Sequence, residues 1–287
     1  MKVRAYAKIN IGLNVLGKRS DGYHDLETVF HEIDCFDEIG LERNEKLAMT
    51  ADSILVPIDG SNLCLKAATL LQHEKHVRQG VMIHLKKNIP IGAGLGGGSS
   101  DAAAVLCGLN QFWELRLSNN QLRALATQLG ADVPFFIDGG TAYATGRGEI
   151  IEPFSLPIPF WIAVVTPPVH ISTAWAYNHL APKRNGKGSG LQAKLAKQIS
   201  NPQKLTSAIQ NDFESLVFQT YPELNRIKEK LNESGAVFSL MSGSGSSIYG
   251  FFEGEKTAID ALSSFPKNYQ SSITAPSFKA HHQSEVD

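Results

Sequence analysis

Apolar residues in this chain follow two different periods, and the switches between them mark out its elements. Residues 2–17 carry apolar positions suited to one or two strands ending at Gly17, and residues 26–42 predict a further strand pair. Between them the polar stretch 18–25 contains Asp21-Gly22, a turn signal. Asn62 is an N-cap type, and Leu65, Ala68, Leu70 and Leu71 gather near one face, so a helix is predicted over 62–76. Val81, Ile83 and Leu85 alternate with Met82, His84 and Lys86, as in a strand. Val105, Leu106, Leu109, Phe112 and Trp113 return to helical spacing. Ser118 with Gln121 forms a capping box for a helix over about 119–129, and Gly130 stops it.

Residues 141–149 read as a hairpin, and Pro153, Pro157 and Pro159 cluster at a boundary. Beyond it, Phe160–Val165 is a continuous apolar strand and 182–190 reads as a mobile loop. Helices are predicted at 202–219, 222–234 and 255–264, strands at 236–241, 248–252 and 270–275, and a frayed tail after Lys279. Strands mixed with helices, with hairpins present, indicate an α+β chain rather than a doubly wound sheet. The expected division is an N-terminal domain over 1–155 and a C-terminal one over 156–287. The length of 287 residues supports two domains at about 150 residues each.

Composition excludes some classes of function. Lys plus Arg (27) and Asp plus Glu (28) nearly cancel, which argues against a nucleic-acid binder but leaves room for a local basic pocket. Cys35, Cys64 and Cys107 are widely spaced and form no C-x-x-C pair, so they read as reduced thiols rather than a disulfide frame or a zinc site. Lys8 and Asn10 interrupt any apolar leader, and no apolar run reaches about 18 residues, so neither a signal peptide nor a membrane partner is expected. The predicted location is the cytoplasm.

The strongest chemical signal is Pro90-Ile91-Gly92-Ala93-Gly94-Leu95-Gly96-Gly97-Gly98-Ser99-Ser100, which follows a strand and opens a helix. Glycine amides approach an anion closely, and a helix beginning beyond Ser100 would add unpaired N–H donors. Ser99 and Ser100 add hydroxyls for an oxyanion or Mg2+. Gly92, Gly94 and Gly97 formally match G-x-G-x-x-G, but Glu114 falls inside the next helix instead of ending a second strand. No lysine follows the glycines as a Walker loop requires, and the protein-kinase signature set is absent. The loop reads as a phosphate cradle of none of these types.

Three segments resemble the GHMP family of small-molecule kinases: Lys8-Ile-Asn-Ile-Gly-Leu13, the glycine loop, and Leu240-Met-Ser-Gly-Ser-Gly-Ser246. Arg19-x-Asp21-Gly22-Tyr23-His24-x-Leu26 and Gly130-Ala-Asp132-Val-Pro134-Phe135-Phe136 resemble a branch of that family whose acceptor is a cytidine diphosphate methylerythritol. The resemblance implies an N-terminal domain like ribosomal protein S5 domain 2, a ferredoxin-like C-terminal domain, and an active site between them. It implies transfer of the γ-phosphoryl group of ATP to the 2-hydroxyl of the acceptor. Within that scheme Asp132 is the base and Lys8 its cationic partner, with Asn10 on the same strand face toward substrate. Tyr23 and His24 match the segment that holds the cytosine; Tyr177 resembles a second aromatic against the base and Thr173 a nearby polar contact. The glycine loop takes the ATP phosphates, and the helix at Asn62 lies near the adenine. Arg147 is given no catalytic role. Mg2+ is implied by ATP, with its protein ligands unknown. The expected assembly is a monomer or weak homodimer. Rival readings are a GHMP kinase for another acceptor, a nicotinamide-dependent oxidoreductase, and a non-catalytic ATP binder.

Overall fold

The first 44 residues form one long antiparallel pair, β1 (Lys2–Lys18) with β2 (His24–Asn44). The computed structural model describes residues 1–180 and 188–280. Most of the loop expected at 182–190, and nearly all of the tail expected after Lys279, lie outside the described residues. The strand pair expected within 26–42 is a single strand of 21 residues. Its pairing shifts register at Tyr6/Ala7, Asn10/Leu13 and Val15/Gly17. Such bulges bend a strand and interrupt its alternation without ending it.

A short strand β3 (Ala48–Ala51), helix α1 (Leu63–Lys75) and strand β4 (Gly80–Lys86) follow. Asn62 caps α1, its side chain accepting a hydrogen bond from the Cys64 amide at 2.8 Å. Next come α2 (Gly97–Phe112), α3 (Asn119–Ala126), α4 (Phe135–Asp138), β5 (Thr141–Thr145) and β6 (Ile150–Pro153). The capping box of Ser118 and Gln121 is present at α3. The sheet runs β3-β4-β2-β5-β6 with β1 also on β2. The predicted face of α2 (Val105, Leu106, Leu109) is buried against sheet residues such as Leu41 and Ile83. β3, with only four residues, is too short to carry a readable period.

The second sheet comprises β7 (Trp161–Thr166), then, after helices, β8 (Phe238–Met241), β9 (Ile248–Phe252) and β10 (Gln270–Thr274). The intervening helices are α5 (Thr173–His179), α6 (Leu191–Gln198), α7 (Pro202–Ala208), α8 (Glu214–Thr220) and α9 (Pro222–Glu233); α10 (Glu255–Ser263) precedes β10. The antiparallel order β10-β7-β9-β8 is that of a ferredoxin-like split βαβ plait.

The helix expected over 202–219 is broken in two. Ile209–Phe213 is drawn out of helix because Leu13 of β1 bridges to Asn211, and the Asn211 amide donates to the Met241 and Gly243 carbonyls at 2.8 and 2.7 Å. Partners distant in the chain satisfy that backbone better than a continuous helix would. One core serves both sheets: Ile9, Ile11 and Val29 pack with Leu205, Phe238, Leu240 and Tyr249. The Tyr249 hydroxyl donates to the Asn10 carbonyl at 3.0 Å. Burying an isoleucine such as Ile9 or Ile11 contributes about 1.5–3 kcal/mol. The middle of β1 is thereby fixed beneath both sheets, and it carries Lys8 and Asn10.

Candidate active site

A cleft of 1120 Å³ runs between the two sheets, large enough for two ligands at once. Lys8, Asn10, Asp132, Tyr23, His24, Thr173 and Tyr177 all line it, as do Pro90–Gly94 and Gly96–Ser99 of the glycine loop.

Lys8 is 4% exposed, far from the half-open strand position its neighbours suggest. Its ammonium donates to Asn10 Oδ1 at 2.6 Å and to the Gly94 carbonyl at 3.1 Å, and lies 3.8 Å from Asp132 Oδ2. Burial lowers the Lys8 pKa, while the Asp132 charge raises it in part. Asn10 Nδ2 in turn donates to Thr28 Oγ1 at 2.8 Å, so this amide orients the lysine as well as lining the cleft. Asp132 sits in the turn between α3 and α4, where Val133 and Pro134 are buried and the carboxylate stays 34% exposed. A short, anchored carboxylate thus faces the cleft beside a desolvated cation.

The glycine loop is held from behind. Helix α2 starts at Gly97, three residues before the Ser100 end expected, because Gly96 adopts a left-handed φ of +73° and turns the chain into the helix. This brings the Gly97–Ser99 amides, the unpaired N–H groups of the first turn, to the cleft wall. Leu95 and Ser100 do not line the cleft. Leu95 is in the core, and the Ser100 hydroxyl donates to the Tyr6 carbonyl at 2.6 Å, which removes it as a ligand for a phosphate or metal. The second glycine-rich segment locks onto the first: Ser242 Oγ donates to the Gly94 carbonyl at 2.9 Å, and the Ser247 amide to that of Ala93 at 3.1 Å. A Cβ on Gly94 would stand 2.1 Å from the Ser242 carbonyl oxygen. Gly243 and Ser244 reach the cleft, and Thr173 Oγ1 lies 3.0 Å from Ser244 Oγ.

Three further residues at the glycine loop were not singled out from the sequence. Lys87 is paired with the buried carboxylates of Asp37 and Asp101, the latter at 2.8 Å. Burial, with the Asp37 charge adding, pushes Asp101 well above the usual carboxylate range, against the pull of Lys87. Lys86-Lys87 looks like an exposed strand end, and only the fold brings Asp37 and Asp101 to it. At the same end of the cleft Leu55, Val56, Pro57 and Leu63 form an apolar wall, with the polar Asn62 beside them.

At the opposite end Tyr23 is 57% exposed, and Arg147 stacks on its ring at 4.8 Å. His24 is 8% exposed, and burial lowers its pKa, so the imidazole is neutral near pH 7. Its ring stacks on Tyr177 at 5.2 Å and 27°, while Tyr177 meets Phe213 edge-on at 4.8 Å. Tyr177 therefore both lines the cleft and packs in the core. Burial, and then the Asp132 charge, raises its phenol pKa, so the hydroxyl stays protonated.

The cleft thus brings a glycine-rich loop, a part-exposed carboxylate and a buried cation to one surface, a set suited to holding phosphates. Residues 62–140 match the model of the GHMP kinases N terminal domain and 191–271 that of the GHMP kinases C terminal. The chain is 45% identical to a 4-diphosphocytidyl-2-C-methyl-D-erythritol kinase of Chlorobium limicola, over 97% of this chain and 98% of that protein. It is 43% identical to one of Pelodictyon phaeoclathratiforme, over 96% and 97%. A solved structure of 4-(cytidine 5'-diphospho)-2C-methyl-D-erythritol kinase superposes with a TM-score of 0.83 at 35% identity, covering 96% of this chain and 98% of that one. The chain belongs to the 4-diphosphocytidyl-2-C-methyl-D-erythritol kinase family. It is an ATP-dependent phosphotransferase with the two-domain α+β GHMP fold. No helix among the described residues is long and apolar enough to cross a membrane.

Proposed function

We infer that this chain phosphorylates the 2-hydroxyl of 4-diphosphocytidyl-2-C-methyl-D-erythritol with ATP, releasing the 2-phosphate and ADP, a step that supplies isoprenoid precursors. The observation that carries the residue roles is the approach of Lys8 Nζ to Asp132 Oδ2, 3.8 Å, at the lip of the glycine cradle. Asp132 takes the proton of the attacking hydroxyl as its oxygen bonds to the γ-phosphorus and the bond to the β-phosphate oxygen breaks. Lys8, oriented by Asn10, offsets charge on the transferring group. Amides of Gly92–Gly98 hold the ATP phosphates, and the apolar wall at Leu55–Leu63 receives the adenine. Tyr23, His24, Thr173 and Tyr177 hold the cytosine end.

Among the described residues no group of three or more His, Cys, Asp or Glu could hold a metal. Mg2+ would come in on the ATP phosphates and would neutralise phosphate oxygens there, and the Ser99 hydroxyl on the cleft wall would be the protein oxygen nearest to it in role. We assign the ATP-binding half to 1–155 and the other to 156–287, working in the cytoplasm as a monomer or weak homodimer without nucleic-acid or membrane partners.

The test is coupled ADP release with Mg-ATP and a panel of acceptors: the cytidyl compound, methylerythritol phosphate, mevalonate, homoserine and galactose. Turnover is expected with the cytidyl compound alone. Asp132→Asn should lower kcat about 10²–10⁴-fold with ATP affinity unchanged. Turnover with a different acceptor would refute the substrate, and undiminished kcat in the variant would refute the base.

A further inference from the structure

An acceptor that carries a cytidine diphosphate brings two phosphates into the cleft between its base and its reacting hydroxyl. Three lysine and arginine side chains line the cleft among the described residues: Lys8, Lys87 and Arg147. Lys8 is engaged by Asn10, the Gly94 carbonyl and Asp132. Lys87 is matched by two buried carboxylates at the glycine-loop end. Arg147 is the third: its guanidinium faces Glu149 at 3.7 Å and the charge of Asp21, and its position is specific.

It sits at the turn joining β5 to β6, between Gly146 (φ +68°) and Gly148 (φ +111°). A Cβ on Gly148 would lie 3.4 Å from Asp132 Oδ1, so the turn backbone abuts the proposed base. On the other side the Arg147 guanidinium covers one face of Tyr23 at 4.8 Å. The turn that carries Arg147 therefore reaches from Tyr23, at Arg147, to Asp132, at Gly148, and a diphosphate linking a base on Tyr23 to a hydroxyl at Asp132 passes along it. Glu149 fixes the turn, accepting from the Arg147 amide at 2.5 Å. Its other oxygen is 3.7 Å from Arg147 Nε, longer than a hydrogen bond, so the guanidinium keeps N–H groups for a ligand. Stacking on Tyr23 holds the planar fork in place, the arrangement suited to bidentate recognition of phosphate.

We propose that Arg147 binds the diphosphate of the acceptor, a role that rests on the acceptor being a cytidyl diphosphate. It also closes one face of Tyr23, which directs the cytosine to the other. The residue acts in binding and takes no part in proton transfer.

Titration with CDP, CMP and cytidine separates these contributions. Wild type should bind CDP more tightly than cytidine. Arg147→Gln should weaken CDP about 10- to 100-fold and cytidine by less than about twofold, with Arg147→Lys recovering part of the loss. The ATP KM and melting temperature of each variant establish that it is folded. Equal losses for CDP and cytidine would show that Arg147 only supports the Tyr23 platform and would overturn the proposal, as would CDP affinity unchanged in Arg147→Gln. Wild-type protein that binds cytidine and CDP alike would also overturn it, leaving the cytosine pocket intact. Wild-type protein that binds neither would instead refute the cytidyl acceptor itself.

Discussion

Lys8 shows how much a single residue's role depends on its surroundings. On a surface strand it would titrate near 10.4. Here burial favours the neutral amine, so it loses its proton at lower pH than a free lysine, with Asp132 opposing only part of the shift. Below that pH the ammonium is present for the proposed role of offsetting charge, and above it the charge is gone. The kcat profile should therefore fall on its alkaline side before pH 10.5. Lys8→Met should lower kcat about 10²–10³-fold and flatten that limb, since the titrating charge is then absent. A wild-type limb at or above the free-lysine value would contradict the role. The sequence names Lys8 and Asp132 through their motifs. It does not show Lys87, Asp37 and Asp101 as a cluster, because 50 positions separate Lys87 from Asp37 and no local pattern pairs a strand-end lysine with a distant carboxylate.

At the scale of elements, the glycine loop is set as much by what packs behind it as by its own composition. Gly94 has φ +79°, and a Cβ would meet the Ser242 carbonyl oxygen at 2.1 Å. Gly94→Ala should cost at least about 1–2 kcal/mol from backbone strain alone, with the collision added. It should depress the melting temperature by several degrees and ATP kcat/KM by at least about tenfold. Gly98→Ala is the internal control. It lies in the first turn of α2 with Leu63 Cδ1 3.9 Å from the added Cβ, so its melting temperature should hold or rise. Thermal melts of the two variants check the contrast, and equal destabilisation would refute it. Capping and periodicity made α1, α2 and α3 legible. They failed at 202–219, where helical spacing persists through Ile209–Phe213 but Leu13 and Asn211 impose an extended break. The start of α2 at Gly97 was hidden for a related reason: glycine has no side chain to reveal the period, and the left-handed turn at Gly96 is a backbone event.

Across the whole molecule the two sheets share a core through Ile9, Ile11, Phe238 and Tyr249, so the active site spans parts that are bound together. One cooperative calorimetric transition is expected, and two resolved transitions would contradict the shared core. Asn211→Ala should cost about 1–3 kcal/mol by leaving the Met241 and Gly243 carbonyls without their donor, lowering that single transition without splitting it. Resemblance to the GHMP kinases pointed to Lys8, Asp132 and Tyr23, whereas the sequence by itself determined the α+β class, most of the elements and a glycine loop suited to an anion. These are properties of local spacing and of residue chemistry, which a linear string records. The tertiary structure alone decided how deeply Lys8 is buried, which face of the glycine loop is open, that Ser100 turns away from the cleft, and that the turn carrying Arg147 lies against both Tyr23 and Asp132. Each of these depends on groups far apart in the chain being brought within a few ångströms, where desolvation and charge set what a side chain can do.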